Sequence, residues 1–207
     1  MKNAFATMLG MQDKMNQKVH ADWIAQHFEW YRAIWIECGE LIEHYGYKWW
    51  KKQTPDMDQV KLEVIDIWHF GMSALFREGT AQDTLAGEMA GALVGYEYGG
   101  QGVREATEAL AQDCLATQRF SVPLFWDLLH AVEMSFEELY RQYVGKNVLN
   151  FFRQDHGYKE GTYIKQWQGR EDNEHLVEIL AQLDSASPDY GDDVYRALSD
   201  RYQALTQ

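Results

Sequence analysis

Proline is scarce in this chain: Pro55, Pro123 and Pro188 are the only three in 207 residues, and the stretches between them are rich in helix formers. Proline breaks helices, so its scarcity leaves room for long ones. No run alternates Val, Ile and Thr with polar residues between turn signals, so strands are not expected. Cysteine is scarce too. Cys38 and Cys114 are too few, and too far apart, for a disulfide framework or a thiolate zinc site. No apolar run approaches the roughly 20 residues that span a bilayer. The first twelve residues carry one early lysine and no sustained apolar core, so no secretory signal is expected. Basic residues are outnumbered 19 to 32, a net charge of −13 that disfavours non-specific contact with nucleic-acid phosphates. What remains is an all-α chain with a cytoplasmic setting, no membrane or nucleic-acid partner, and length enough for a single domain over residues 1–207.

Apolar periodicity predicts helices over about Phe5–Val19, Asp22–Tyr45, Asp56–Arg77, Thr84–Tyr98 and Val103–Thr117. Ser121 suits the N-cap of a long helix running from Val122 toward Arg153. The tail, Glu174–Leu205, reads as two helices parted at Ser185–Pro188. Trp23, Trp30, Trp35 and Trp68 fall at core-like spacing, whereas Trp49 and Trp50 lie between lysines in a loop, Tyr47–Pro55.

Against that background two carboxylate pairs stand out, Glu37-Cys38-Gly39-Glu40 and Glu63-Val64-Ile65-Asp66. An i,i+3 spacing sets both acids of a pair on one helix face, a turn apart. Each pair lies in apolar sequence, Ile34 to Ile42 around the first and Leu62 to Phe70 around the second. Like charges gathered in such surroundings are costly unless a cation compensates them. Hard oxygen donors suit Mg²⁺, with Mn²⁺ as a substitute, and Mg²⁺ sites commonly take phosphates as further ligands. A lone pair of this kind is usually a solvated helix face. Two pairs, 23 residues apart across one helical hairpin, argue for a metal-dependent phosphate-processing enzyme. Ferritin-like di-iron proteins use Glu-x-x-His pairs, and no His lies three residues after Glu37, Glu40 or Glu63. A non-enzymatic helical scaffold has no use for four acids among apolar side chains.

The stretch Lys146–Asn173 differs from the rest. Between Lys146 and Arg170 it holds five basic residues against Asp155 and Glu160, a local balance of +3, punctuated by Gly157, Gly161 and Gly169. Cations on a loop whose backbone allows close approach suit a triphosphate. From composition alone, a solvated basic loop fits equally well.

Taken in order, these segments resemble the dimeric dUTPase family of the all-α NTP pyrophosphatase superfamily. The likeness rests on Leu9-Gly10-Met11-Gln12 with Asn16, Glu37-x-x-Glu40-Leu41-Ile42, Lys48-Trp49-Trp50-Lys51, Glu63-x-x-Asp66-x-x-His69-Phe70, and the Lys146–Asn173 stretch. It implies a helical bundle that hydrolyses dUTP, with dUDP as a second substrate, to dUMP; pyrophosphate is the other product from dUTP. The alternatives are a related helical pyrophosphatase acting on dCTP or other nucleotides and, more distantly, the scaffold. The resemblance further implies a homodimer and two or more Mg²⁺ ions held by Glu37, Glu40, Glu63 and Asp66, with Glu40 orienting or deprotonating the attacking water. Lys146, Arg153, Lys159 and Lys165 would bind phosphates. Gln12, Asn16 and Asn150 would contact base and sugar, and Trp50, His69 and Phe70 would wall the nucleoside pocket.

Overall fold

The computed structural model describes residues 1–185, 187 and 189–206. In chain order it runs α1 (Lys2–Val19), a 3-10 turn (Ile24–Gln26), α2 (Trp30–Tyr45), α3 (Met57–Leu75), α4 (Gln82–Ala92), α5 (Val103–Thr117) and α6 (Val122–Ala131). Then follow α7 (Phe136–Asp155), β1 (Gln166–Trp167), β2 (Arg170–Glu171), α8 (Asp172–Leu180) and α9 (Tyr190–Thr206). The all-α class holds. The one ribbon among the described residues pairs Gln166 with Glu171 and Trp167 with Arg170, antiparallel. Strands of two residues are too short to leave a period in the sequence. By contact the chain falls into two compact units, Met1–Leu139 and Tyr140–Gln207.

Three helices differ from expectation. The one predicted from Asp22 starts at Trp30, because His27 turns left-handed (φ 51°) after the 3-10 turn and cannot continue a right-handed helix. The long helix predicted from Val122 is two helices, parted where Glu133 also turns left-handed (φ 54°). The helix predicted to Tyr98 ends at Ala92, ahead of Gly95 at φ 73°. Of the expected tail break, Ala186 and Pro188 lie outside the described residues.

In the first unit α3 is the central helix, packed along α2 and touching α1 and α6. It buries residues on most of its circumference, among them Val60, Val64, Ile65, Ile67, Trp68 and Met72. Each such burial is worth about 1.5–3 kcal/mol. Trp68 stacks on Phe125 at 4.7 Å and meets Phe5 at 6.0 Å, its Nε1–H directed at Met8 Sδ. Gly71 lets the Phe120 ring approach: a Cβ there would lie 2.5 Å from it. Trp23 and Trp68 are core as expected, but Trp35 is 39 % exposed. In the second unit Phe152 and Trp167 are fully buried, and Tyr163 stacks on Tyr202 at 5.5 Å.

Candidate active site

The hairpin of α2 and α3 builds the acidic centre. Asp56 caps α3 by accepting from the Gln59 N–H, at 3.3 Å, which starts the helix in the register that turns Glu63 and Asp66 inward. Oxygens of Glu37, Glu63 and Asp66 lie within 4.8 Å of one another. Glu63 is buried, and the other two are half-buried. The crowding perturbs Glu37, whose carboxyl is pushed up to about 8 by burial first, then by Asp66, by a hydrogen bond with Glu63, and by the charges of Glu63 and Glu40. His44 Nε2 is 3.4 Å from Glu63 Oε1 and partly offsets the charge when protonated.

Three hard oxygen donors held against their own repulsion fit a divalent cation, which would replace the proton on Glu37. The Cys38 thiol, next in sequence to Glu37, is pushed up to about 12 by burial, then by Cys114 and Glu37, and adds no charge to the metal-free acidic group at neutral pH. Glu40 is exposed and lies outside the three-acid group, although its charge is felt at Glu37.

A polar network continues along the same face of α3, where Glu63, Asp66, His69 or Phe70, and Ser73 recur at steps of three and four. Ser73 Oγ–H donates to the His69 carbonyl one turn back, at 3.0 Å. The same Oγ accepts from Gln12 Nε2 at 3.0 Å and from Asn16 Nδ2 at 2.9 Å, both reaching across from α1. Gln12 Nε2 also donates to Asn16 Oδ1 at 3.1 Å, and Gln12 Oε1 sits 2.9 Å from His69 Nδ1. All four residues are buried. Gln12, Asn16 and His69, named from sequence, are thus brought together. Phe70 stacks on Trp30 at 6.2 Å and stays half-buried. Trp50 is 60 % exposed beside the still more exposed Trp49, and among the described residues its ring contacts are with Trp49 and Tyr47.

The second unit holds the remaining candidates. Lys146 is buried, Lys159 is exposed, and Lys165 is exposed with Glu171 Oε2 at 3.2 Å. Arg153 directs Nε and Nη2 at the carboxylate of Asp172, at 2.8 and 2.7 Å, and Nη1 at Asn150 Oδ1, at 3.2 Å. Its planar fork is therefore committed largely to a protein carboxylate. Tyr163 OH donates to the same Asp172, at 2.8 Å.

Ser73, His44 and Asp172 were not among the candidates read from sequence. A signal existed for Ser73: Gln12 to Asn16 and His69 to Ser73 are matching i,i+4 steps on two helices. Asp172 lay inside the basic stretch, but nothing local marks it as the partner of a residue 19 positions earlier.

A family model described as dUTPase matches residues 4–158, about three quarters of the 207 residues. The matched span takes in both acidic pairs, the polar network, Lys146 and Arg153, and it ends before Lys159 and Lys165. No curated protein matches the chain.

Proposed function

The chain belongs to the dUTPase family and is a dUTP diphosphatase, a hydrolase of phosphoric anhydrides, and we propose from that premise how its residues divide the work. The observation that carries the proposal is the meeting of Glu37, Glu63 and Asp66 within 4.8 Å, with Glu37 pushed up to about 8. These three hold Mg²⁺, two or more ions, with Glu40 as a fourth carboxylate at the exposed edge and Mn²⁺ as a substitute. When bound, Mg²⁺ polarises phosphate oxygens and acidifies water.

Glu40, exposed and able to change partners, orients the attacking water and takes its proton. The water oxygen bonds to phosphorus, the anhydride P–O bond breaks, and dUMP and pyrophosphate separate. Lys146, Lys159 and Lys165 neutralise charge on the phosphate chain. Arg153, fixed on Asp172, contributes by holding the segment that carries Lys165 and by its bond to Asn150. Gln12, Asn16, His69 and Asn150 read base and sugar, and Phe70 and Trp50 supply apolar walls. dUDP is a second substrate, the working unit is a homodimer, and its setting is the cytoplasm.

A nucleotide panel of dUTP, dUDP, dCTP, dTTP and UTP with Mg²⁺, followed by pyrophosphate and phosphate release, tests this division. Hydrolysis of dUTP and dUDP that stops when EDTA removes the metal is the expected result. Full activity in EDTA overturns the metal assignment, and a monomer by light scattering at working concentration overturns the dimer.

A further inference from the structure

We infer that Ser73 is a positioning residue for uracil recognition: its hydroxyl locks the Gln12 and Asn16 amides in one orientation, and that orientation selects uracil over cytosine. The inference rests on the base-reading role proposed above.

The argument follows from counting hydrogens. A serine hydroxyl has one hydrogen and two lone pairs. Ser73 donates that hydrogen to the His69 carbonyl, at 3.0 Å, a back-bond along its own helix. Its Oγ can then only accept, so any group facing it must be a donor. Gln12 and Asn16 both face it, at 3.0 and 2.9 Å, and both must present nitrogen. The rest of the network agrees. With its nitrogen on Ser73 and on Asn16 Oδ1, Gln12 turns Oε1 to His69 Nδ1, at 2.9 Å, so His69 carries its proton on Nδ1. Reversing either amide would set a carbonyl oxygen against an oxygen with no hydrogen to give. Inside a buried site such a clash is costly, which makes the orientation a property of the fold.

Orientation matters because the two pyrimidines differ in polarity on one edge. Uracil offers a donor at N3 flanked by carbonyl acceptors, whereas cytosine offers an acceptor at N3 beside a donor amino group. Within the network Asn16 uses one Nδ2 hydrogen and one Oδ1 lone pair. Both lie on the edge that Gln12 and Ser73 occupy, so the remaining Oδ1 lone pair and Nδ2 hydrogen point apart and one of them at a time can meet a base. With Oδ1 toward N3, the lone pair accepts the N3–H of uracil. A cytosine in the same place sets its N3 lone pair against that of Oδ1. With the amide free to turn over, nitrogen could face N3 instead and either base would be served. Ser73 removes that freedom without touching the nucleotide.

The test compares kcat/KM for dUTP and dCTP, with Mg²⁺, in the full-length protein and in Ser73→Ala, Ser73→Thr, Gln12→Ala and Asn16→Ala. Ser73→Ala is expected to reduce the dUTP preference at least about tenfold, mainly through KM, with kcat for dUTP within about threefold. Ser73→Thr restores the hydroxyl and the preference. A purely structural serine would leave the ratio between two substrates unmoved. If Asn16→Ala erases the preference and Ser73→Ala does not, the role of Ser73 is overturned while base reading by the amides stands. If neither Asn16→Ala nor Gln12→Ala alters it, the base-reading assignment itself fails. A Ser73→Ala protein that does not fold leaves a test on the unaltered chain: ¹⁵N-histidine NMR, with His69 assigned by its loss in His69→Gln. Protonation of His69 on Nδ1 is expected, and protonation on Nε2 alone contradicts the locked network.

Discussion

Arg153 grips Asp172 with two bonds, from Nε at 2.8 Å and Nη2 at 2.7 Å, and the carboxylate it holds is wholly buried. A basic residue that sequence assigns to phosphate thus also anchors the fold. It ties the end of α7 to the start of α8, across the loop that carries Lys159 and Lys165.

Arg153→Ala should therefore register in stability as well as in activity. Removing one partner strands a buried charge, at a cost of about 3–5 kcal/mol. Urea denaturation of Arg153→Ala and of Asp172→Asn should show comparable losses. Arg153→Lys should recover little, since a point ammonium cannot form the paired bonds. An Arg153→Ala protein as stable as the parent would return Arg153 to a direct phosphate role.

The Glu37 carboxyl, raised from 4.5 to about 8, sets a pH dependence. Between those values the folded protein holds a proton that the unfolded chain has released. Metal-free stability should consequently fall as pH rises from about 4.5 to about 8, and level off beyond. Mg²⁺ competes with the same proton, so its affinity should rise across that window, with proton release on binding. Thermal melts at several pH values, and calorimetry in buffers of different ionisation enthalpy, measure both. Glu37→Gln should flatten the two profiles.

Asp66→Asn removes one of the three converging charges. The parent should gain about 2.7 kcal/mol in Mg²⁺ at a hundred times its dissociation constant. Asp66→Asn should lose most of that gain and dUTP hydrolysis with it, while its metal-free melting temperature stays level or rises as repulsion falls. Glu40→Gln should abolish turnover and keep more of the Mg²⁺ stabilisation, because Glu40 stands outside the cluster. Equal loss of stabilisation in both variants would make Glu40 a full ligand.

Gly71→Ala tests the centre of the first unit. The new methyl would sit 2.5 Å from the Phe120 ring, which packs against Trp68 and Phe125. Overpacking of this kind costs about 1–3 kcal/mol. Chemical denaturation should find a loss in that range, and relief when Phe120→Leu is added.

Much of the fold was legible because helix signals are local. Val103–Thr117 was read to the residue, and the start of α3 lay where Asp56 caps it. The breaks at His27 and Glu133 were not, since a φ of 51° or 54° is uncommon for any residue but glycine, so neither side chain announces it in sequence. Periodicity carries through such a residue unless its neighbours force a turn. Gly95, by contrast, was visible as a glycine, yet its place in a recurring series of three (Gly87, Gly91, Gly95) read as a helix face.

By itself the sequence determined the helical class, the i,i+3 acid pairs and the motifs that place the chain among dUTPases. All of these are set by spacing along a single helix or by residue identity. Tertiary structure decided which three acids meet, that Arg153 faces Asp172, and that one serine hydroxyl stands between two amides. Those distances join residues 19 to 61 positions apart. They depend on how buried side chains pack one helix against another, and no local pattern encodes that.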